Sequence, residues 1–301
     1  MVDISYKILE WMKRKNIFLY DFVFKILKLF VNIFFPIVYS VKEIDNSKSK
    51  SMPEKIVLSF TTFPPRIDTV WQTAYTLLNQ TVKVDHVILW LAREQFESLD
   101  TLPDSLKRLK KYGLEIKFCD DLRPHKKYYY AMQEYPDAIV ITVDDDVYYP
   151  SFLVERLYSK HKEFPDAICC NWAHLIKKSN DGKILPYNKW EKGVSGFDDK
   201  PSFSLNQVGY EGVLYPPHSL DSRCFDKDLL CKLSLNADDL WLKAMSYLHG
   251  TKVVRANDVA YRYFGILKSQ KVALNTSNCG QNKNDEAIEK ITTYFPELED
   301  R

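Results

Sequence analysis

From residue 54 onward, short apolar runs alternate with stretches whose apolar residues recur at helical spacing. KIVLSFTT (55–62), HVILWL (86–91) and LEIKFC (114–119) have the length and composition of strands, and IVITV (139–143) is the β-branched run of a strand buried on both faces. Between them, residues 68–79 carry Val70, Trp71, Ala74, Leu77 and Leu78 on one helical face. Residues 105–112 predict a short basic helix, 126–134 and 152–164 two more, and 167–176 a further strand. Strand and helix in alternation predict an α/β fold, a three-layer α/β/α sandwich with a mostly parallel sheet. From 177 to 220 the pattern dissolves into Gly, Pro, Asn, Ser and aromatic residues, and irregular chain of that length is usually functional. A last helix opens at Asn236-Ala237-Asp238-Asp239 and presents Leu240, Trp241, Ala244, Met245 and Leu248.

The first 42 residues follow a different rhythm. Across residues 16–41 the polar side chains Asp21, Lys25, Lys28 and Asn32 fall at intervals of four, three and four, a narrow stripe on an otherwise apolar helix preceded by Lys13-Arg14-Lys15. The charge-free run 29–41 is too short to span a bilayer and is interrupted by Pro36. The pattern predicts an amphipathic helix in the membrane interface, basic residues toward anionic headgroups. Docking on the following domain, dimerisation and a tilted span are the competing readings. Residues 43–53 (EIDNSKSKSMP) read as a linker, which divides the chain into a membrane-associating region 1–42, a linker 43–53 and a catalytic domain 54–301.

Composition narrows the function. The chain is 46% hydrophobic and 14% aromatic, enough to bury a large core, and its net charge of +2 exerts no global pull on nucleic acid. None of the six cysteines forms a C-x-x-C pair, so the expectation is reduced thiols in a cytosolic protein, without a zinc site.

Two acidic clusters carry the chemistry. Asp144-Asp145-Asp146 ends the most apolar strand. A helix cap needs one Asp, whereas three adjacent carboxylates repel one another unless a cation sits among them. The C-terminal edge of a parallel sheet is also where ligands bind, and hard oxygen donors there suit Mg²⁺ or Mn²⁺ arriving with a diphosphate. The second cluster, Asp238-Asp239, opens a helix. It reads either as a cap or as a general base held rigidly, although a helix N-terminus lowers a carboxylate's pKa and weakens it as a base.

A strand, then DDDVYYP, an irregular loop, and DDLW opening a helix together resemble the GT-A-fold glycosyltransferases of bacterial polysaccharide assembly. IVLSFTTFPPRI (56–67) resembles their first nucleotide-binding strand and loop, PHKKY (124–128) a donor-side segment, and GYEGVLYPPHSL (209–220) the acceptor-side loop. The resemblance covers residues 53 to about 285. It implies a nucleotide-sugar donor, UDP-linked by default, with Asp144 near the ribose, Asp145 beside it, and Asp146 together with Asp144 on Mn²⁺ or Mg²⁺. Thr61, Arg66 and Lys127 would contact nucleotide or phosphate. Asp239 matches the base of inverting members, with Asp238 beside it. On the acceptor side fall Gly212, Tyr215, His218 and Asp285, and Trp172, Tyr187, Trp190 and Tyr210 are candidates for stacking on sugars, or for the core. The family's late metal-binding His has no counterpart after His249, and Asn282-Lys283-Asn284-Asp285 stands in its place.

The function these residues predict is a metal-dependent inverting transfer of a sugar to a hydroxyl of a growing cell-surface glycan, free or lipid-linked. The enzyme is expected on the cytoplasmic face of the inner membrane, peripherally attached. Three alternatives remain: a retaining transferase of the same fold, an aspartyl phosphatase or phosphotransferase using Asp144-x-Asp146, and a membrane-tethered glycan-binding module.

Overall fold

The computed structural model describes residues 1–45, 47, 49–194, 200–257, 262–269 and 283–299. Eleven strands form among them: β1 (Ile56–Thr61), β2 (His86–Ala92), β3 (Leu114–Cys119), β4 (Ile139–Thr142), β5 (Val147–Tyr148), β6 (Ile168–Cys170), β7 (Ala173–Leu175), β8 (Leu205–Gln207), β9 (Val213–Tyr215), β10 (Val253–Arg255) and β11 (Phe264–Gly265). Seven make one sheet in the order β10-β6-β9-β4-β1-β2-β3. Its neighbours are parallel except around β9, which runs antiparallel to both β4 and β6. The pairs β5/β11 and β7/β8 are small antiparallel ladders.

The period-2 alternation of the strands builds the layers. Ile56, Leu58 and Phe60 of β1 join Leu89, Leu91, Ile141 and Val143 on one face. Val57, Ile88, Trp90 and Val140 point to the other. The first face is covered by α3 (Val70–Leu78) and α6 (Leu153–Glu163). The second face meets α5 (Lys126–Glu134) and, farther along, α7 (Lys227–Ser234), α8 (Asp238–His249) and α9 (Lys283–Tyr294). The chain is therefore the three-layer α/β protein with a mostly parallel sheet that its patterning predicts. Consecutive strands β1, β2 and β3 step one way, and β4 lies on the opposite side of β1. That reversal is a topological switch point, the place where open α/β sheets bind ligands, and it lies at the C-terminal ends of β1 and β4.

Three elements differ from the sequence reading. The basic helix near residue 105 is a single turn, α4 (Asp104–Lys107), which tightens into a 3₁₀ segment at Arg108–Tyr112. The strand expected over 167–176 breaks at Asn171-Trp172 into β6 and β7, which belong to different sheets. The irregular stretch 177–220 hides β8 and β9. Three-residue strands flanked by Gly and Pro leave no periodicity to read, and β9 holds its place through pairing with β4 and β6.

The N-terminal region folds as two helices, α1 (Val2–Arg14) and α2 (Tyr20–Tyr39), and both contribute to the main core. Tyr6 is fully buried; its hydroxyl donates to the Tyr148 carbonyl and accepts from the Phe264 amide, each at 2.6 Å. The Asp3 carboxylate accepts from the Ser151 amide and hydroxyl at 2.8 Å. On α2, Phe35 packs among Trp71, Tyr75 and Tyr148. Within residues 43–53, Ile44 is buried and Lys50 exchanges backbone hydrogen bonds with Thr81 and Lys83. Removing Phe35 should therefore cost what a core aromatic costs. Phe35→Ala is expected to lower unfolding free energy by about 3–5 kcal/mol. Phe30→Ala, on the outer face of the same helix, is expected to change it by no more than about 0.5 kcal/mol. Urea unfolding of the two variants side by side measures the difference.

Candidate active site

The crevice at the switch point gathers chain from four places. β1 delivers Thr62 and Arg66, and β4 delivers Asp144, Asp145 and Asp146. Because β9 is antiparallel, its N-terminal end, preceded by Gly209–Glu211, arrives at the same edge; Val213 pairs with Thr142. The first turn of α8 adds Asp238 and Asp239.

The three adjacent aspartates have different surroundings. Asp145 is buried; it accepts from Thr62 Oγ1 and from Arg66 Nη1, each at 2.5 Å. Burial raises its carboxyl above the ordinary value even so, with Arg66 opposing. Arg66 also lies 3.1 Å from Asp146 Oδ2 through its other terminal nitrogen. Asp144 is the most open of the three, its side chain 34% exposed, and its Oδ1 accepts from Lys127 Nζ at 2.7 Å. Tyr149 fixes the backbone here: its hydroxyl accepts from the Asp144 amide at 2.9 Å and donates to the Tyr210 carbonyl at 2.9 Å.

Lys127 joins the two acidic clusters. Its ammonium is 5% exposed, 2.7 Å from Asp144 and 2.9 Å from Asp238 Oδ2. Burial opposes the charge, but Asp144, Asp238 and Asp239 outweigh it and hold the amine well above the usual lysine value. The start of α5 is pinned to β1, because the Ser59 hydroxyl donates to the Lys127 carbonyl and accepts from the Trp90 indole.

Asp238 and Asp239 separate in character. Burial pushes Asp238 up, but Lys127 and then His125 prevail and keep it below the ordinary carboxylate range. Asp239 is pushed up to about 8, by burial first and then by Asp238 beside it. The lowering expected from a helix N-terminus is thus overturned. Both oxygens of Asp239 accept from the Gly209 amide, at 3.0 and 3.1 Å. A Cβ on Gly209 would lie 3.0 Å from Lys127 Nζ and 3.1 Å from Asp239 Oδ1, so a larger residue here would press on both charged side chains.

Of the residues singled out in the sequence, Arg66, Lys127, Asp144, Asp145, Asp146, Asp238 and Asp239 meet in this crevice. Thr61 does not turn toward the carboxylates; its hydroxyl donates to the Trp90 carbonyl at 2.9 Å, and Thr62 takes the place expected of it. Gly212 makes the turn into β9 with φ +91°, while Gly209 makes the close approach. Tyr215 is a core residue of β9, 1% exposed. His218 is carried by β9 to the opposite sheet edge, where its Nε2 lies 3.1 Å from Asp137 Oδ1. Asp285 accepts from the Tyr187 amide at 2.5 Å and ties α9 to that loop; Asn282 lies outside the described residues. Among the stacking candidates, Trp190 is buried, whereas Trp172 and Tyr210 are part-exposed and Tyr210 donates to the Tyr263 carbonyl. Gly209, Thr62 and Tyr149 escaped the sequence reading although each sits inside a quoted motif, because neighbouring residues of the same type were equally good candidates.

The strand end offers hard oxygen donors, of the kind a divalent ion takes. Among the described residues no three His, Cys, Asp or Glu side chains form a protein cage. Asp144 and Asp146 nevertheless share one edge, and two carboxylates plus substrate phosphates are a usual Mg²⁺ environment. Four aspartates meet the two cations directly, Asp145 and Asp146 on Arg66 and Asp144 and Asp238 on Lys127. Burial first, and then neighbouring carboxylates, raise Asp145 and Asp239.

No protein-family model matches the chain, and no curated protein matches it. Similarity to solved structures is distant. TarS of S. aureus, residues 1–349, is 14% identical over 69% of this chain and 59% of that one, with a TM-score of 0.42. A mannosyltransferase, PcManGT from Pyrobaculum calidifontis in complex with GDP-Man and Mn²⁺, is 13% identical over 76% and 64%, TM-score 0.40. A CMP:2-keto-3-deoxy-manno-octonic acid synthetase complexed with CTP is 12% identical over 69% and 89%, TM-score 0.39. The chain spans less than two thirds of the length of the TarS fragment and of the mannosyltransferase.

Glu211, between the two loop glycines, is completely buried, and its Oε1 accepts from the Tyr263 amide at 2.9 Å. Burial raises its carboxyl to about 8. A folded value above the unfolded one (about 4.3) stabilises the protein below the unfolded value, and that stability is lost as pH rises through the folded value. Asp239 contributes with the same sign. The wild type should lose stability to urea between about pH 5 and about pH 8, and Glu211→Gln should flatten that slope. Unfolding midpoints across the range measure it.

Proposed function

We propose that the protein is a nucleotide-sugar-dependent glycosyltransferase of the GT-A type that transfers a sugar to a hydroxyl of a cell-surface glycan, free or lipid-linked, with inversion. The observation that carries this reading is the pairing of two unlike acidic sites across one lysine. One is a carboxylate-rich strand end with arginine and threonine, suited to a charged donor. The other is a single raised carboxylate held at a helix start. UDP-sugar is the donor that the sequence resemblance implies.

Asp144 and Asp146 would hold Mg²⁺ or Mn²⁺, which when bound offsets the negative charge gathering on the departing nucleoside diphosphate. Arg66 keeps Asp145 and Asp146 in place, and Lys127 holds Asp144 against the α8 cluster. Asp239 is the general base: the Gly209 amide fixes both its oxygens, and a pKa near the working pH suits a group that accepts the acceptor's hydroxyl proton as that oxygen attacks the anomeric carbon. Asp238, held ionised by Lys127, keeps that ammonium beside the base. Glu211, the acid of the loop before β9, is completely buried against the Tyr263 amide and is no candidate for a nucleophile.

The test is release of nucleoside diphosphate from a panel of sugar nucleotides with Mn²⁺ or Mg²⁺, together with donor affinity. Asp239→Asn should keep donor binding and lose turnover by roughly 10²–10⁴-fold. Asp146→Ala should weaken both metal-dependent donor binding and turnover. Asp238→Asn should cost less turnover than Asp239→Asn. Wild-type turnover in Asp239→Asn would overturn the inverting assignment, and a phosphoaspartate trapped at Asp144 would make the protein a phosphotransferase instead.

A further inference from the structure

α2 has two faces of opposite purpose. On one side Val31 and Phe35 are 0% and 1% exposed, within the main core. The Asn32 amide donates to the Gly265 carbonyl at 3.2 Å, and its oxygen accepts from the Leu267 amide at 2.8 Å. The stripe that the sequence marks as polar is thus partly turned inward: Lys28 is half-buried and lies in the field of Asp146. On the other side Phe22, Ile26, Leu29, Ile33 and Ile37 are between 47% and 65% exposed, recurring at intervals of three and four. Phe18, in the turn before the helix, is 99% exposed. So continuous an apolar face is far from the scattered exposed residues of an ordinary surface.

We propose that this outer face of α2 docks on an anionic lipid bilayer as a one-leaflet, in-plane helix. Charge decides for lipid over a second copy of the chain. Residues 1–42 carry seven basic and three acidic residues in a chain whose net charge is +2, so the apolar face stands on a basic part of the molecule. Lys13, Arg14, Lys15, Lys25 and Lys42 are all exposed. Two copies meeting through this face would bring like charges together, whereas anionic headgroups would neutralise them. A transmembrane span is opposed by packing: crossing the bilayer would strip Phe35 from its aromatic cluster and break both Asn32 hydrogen bonds. With its inner face docked, α2 enters the interface by its outer side only, to the depth usual for amphipathic helices.

The same contacts place the bilayer beside the crevice. Asn32 holds the turn after β11, and the Ile266 amide in that turn donates to the Asp146 carbonyl at 2.7 Å. Two hydrogen-bonded steps separate the membrane-facing helix from the acidic site. If the transferase reading holds, this makes lipid-anchored acceptors the fitting class, but the docking itself stands without it.

The test is co-sedimentation of the full chain with vesicles, without sugar nucleotide, so that failure here and failure of the transferase reading are told apart. Phosphatidylcholine vesicles containing phosphatidylglycerol should bind the protein, pure phosphatidylcholine much less, and salt should weaken binding. The combined variant Ile26→Ser, Phe30→Ser, Ile33→Ser changes only exposed side chains; it should keep the wild-type unfolding midpoint and lose vesicle affinity by more than about tenfold. Lys13→Gln and Lys15→Gln should each lower affinity about fivefold on anionic vesicles. The proposal is overturned if the wild type stays in the supernatant with anionic vesicles, or if the serine variant binds as tightly as the wild type. A wild-type dimer that the serine variant converts to a monomer, without vesicle binding by either, would assign the face to a second copy.

Discussion

The buried ammonium of Lys127 is the interaction on which the site depends. It lies 2.7 Å from a carboxylate at the end of β4 and 2.9 Å from one at the start of α8. Without it, two groups of acids from distant parts of the chain would face each other in a partly desolvated crevice, where repulsion is screened far less than in water. One lysine does not neutralise the cluster. Burial, and then the neighbouring Asp238, raise the carboxyl of Asp239 to about 8. A structural requirement, bringing two acidic elements together, and a chemical one, a carboxylate able to accept a proton, are met by the same incomplete compensation.

The second constraint is closeness of backbone. The loop before β9 reaches the carboxylates because that strand runs against its neighbours and so presents its N-terminal end at the edge where β1 and β4 end. Gly209 then approaches to where an added Cβ would press on Lys127 and Asp239 at 3.0 and 3.1 Å. Tyr149 links the Asp144 amide to the Tyr210 carbonyl and holds strand end and loop in register. The strand-end acids, Asp239 and the loop are thus one hydrogen-bonded unit.

The N-terminal helices show how one sequence feature can serve two environments. α1 and α2 supply buried residues to the main core, including the hydroxyl of Tyr6 that completes the hydrogen bonding of β5 and β11. They are not a detachable tether. The same helix that Phe35 anchors carries the outward apolar face, and its polar stripe lies partly against the protein, near Asp146.

The sequence by itself determined the layers, because strand and helix periodicities are properties of neighbouring residues: four parallel strands, the helices between them and the two acidic clusters are all legible in the order of side chains. The resemblance of two of its motifs to a known family also brought out Arg66 and Lys127. What it could not determine depends on pairing between distant segments. β9 is a strand only because β4 and β6 bracket it, and its direction sends Gly209 into the site and His218 to the far edge. Thr61 and Thr62 are chemically alike, and only the pleat decides that the first meets the Trp90 carbonyl and the second Asp145. The character of Asp239 was likewise settled by tertiary structure. Local electrostatics at a helix start favours its charge, but burial weighs more, with Asp238 adding to it, and that burial exists only in the folded chain.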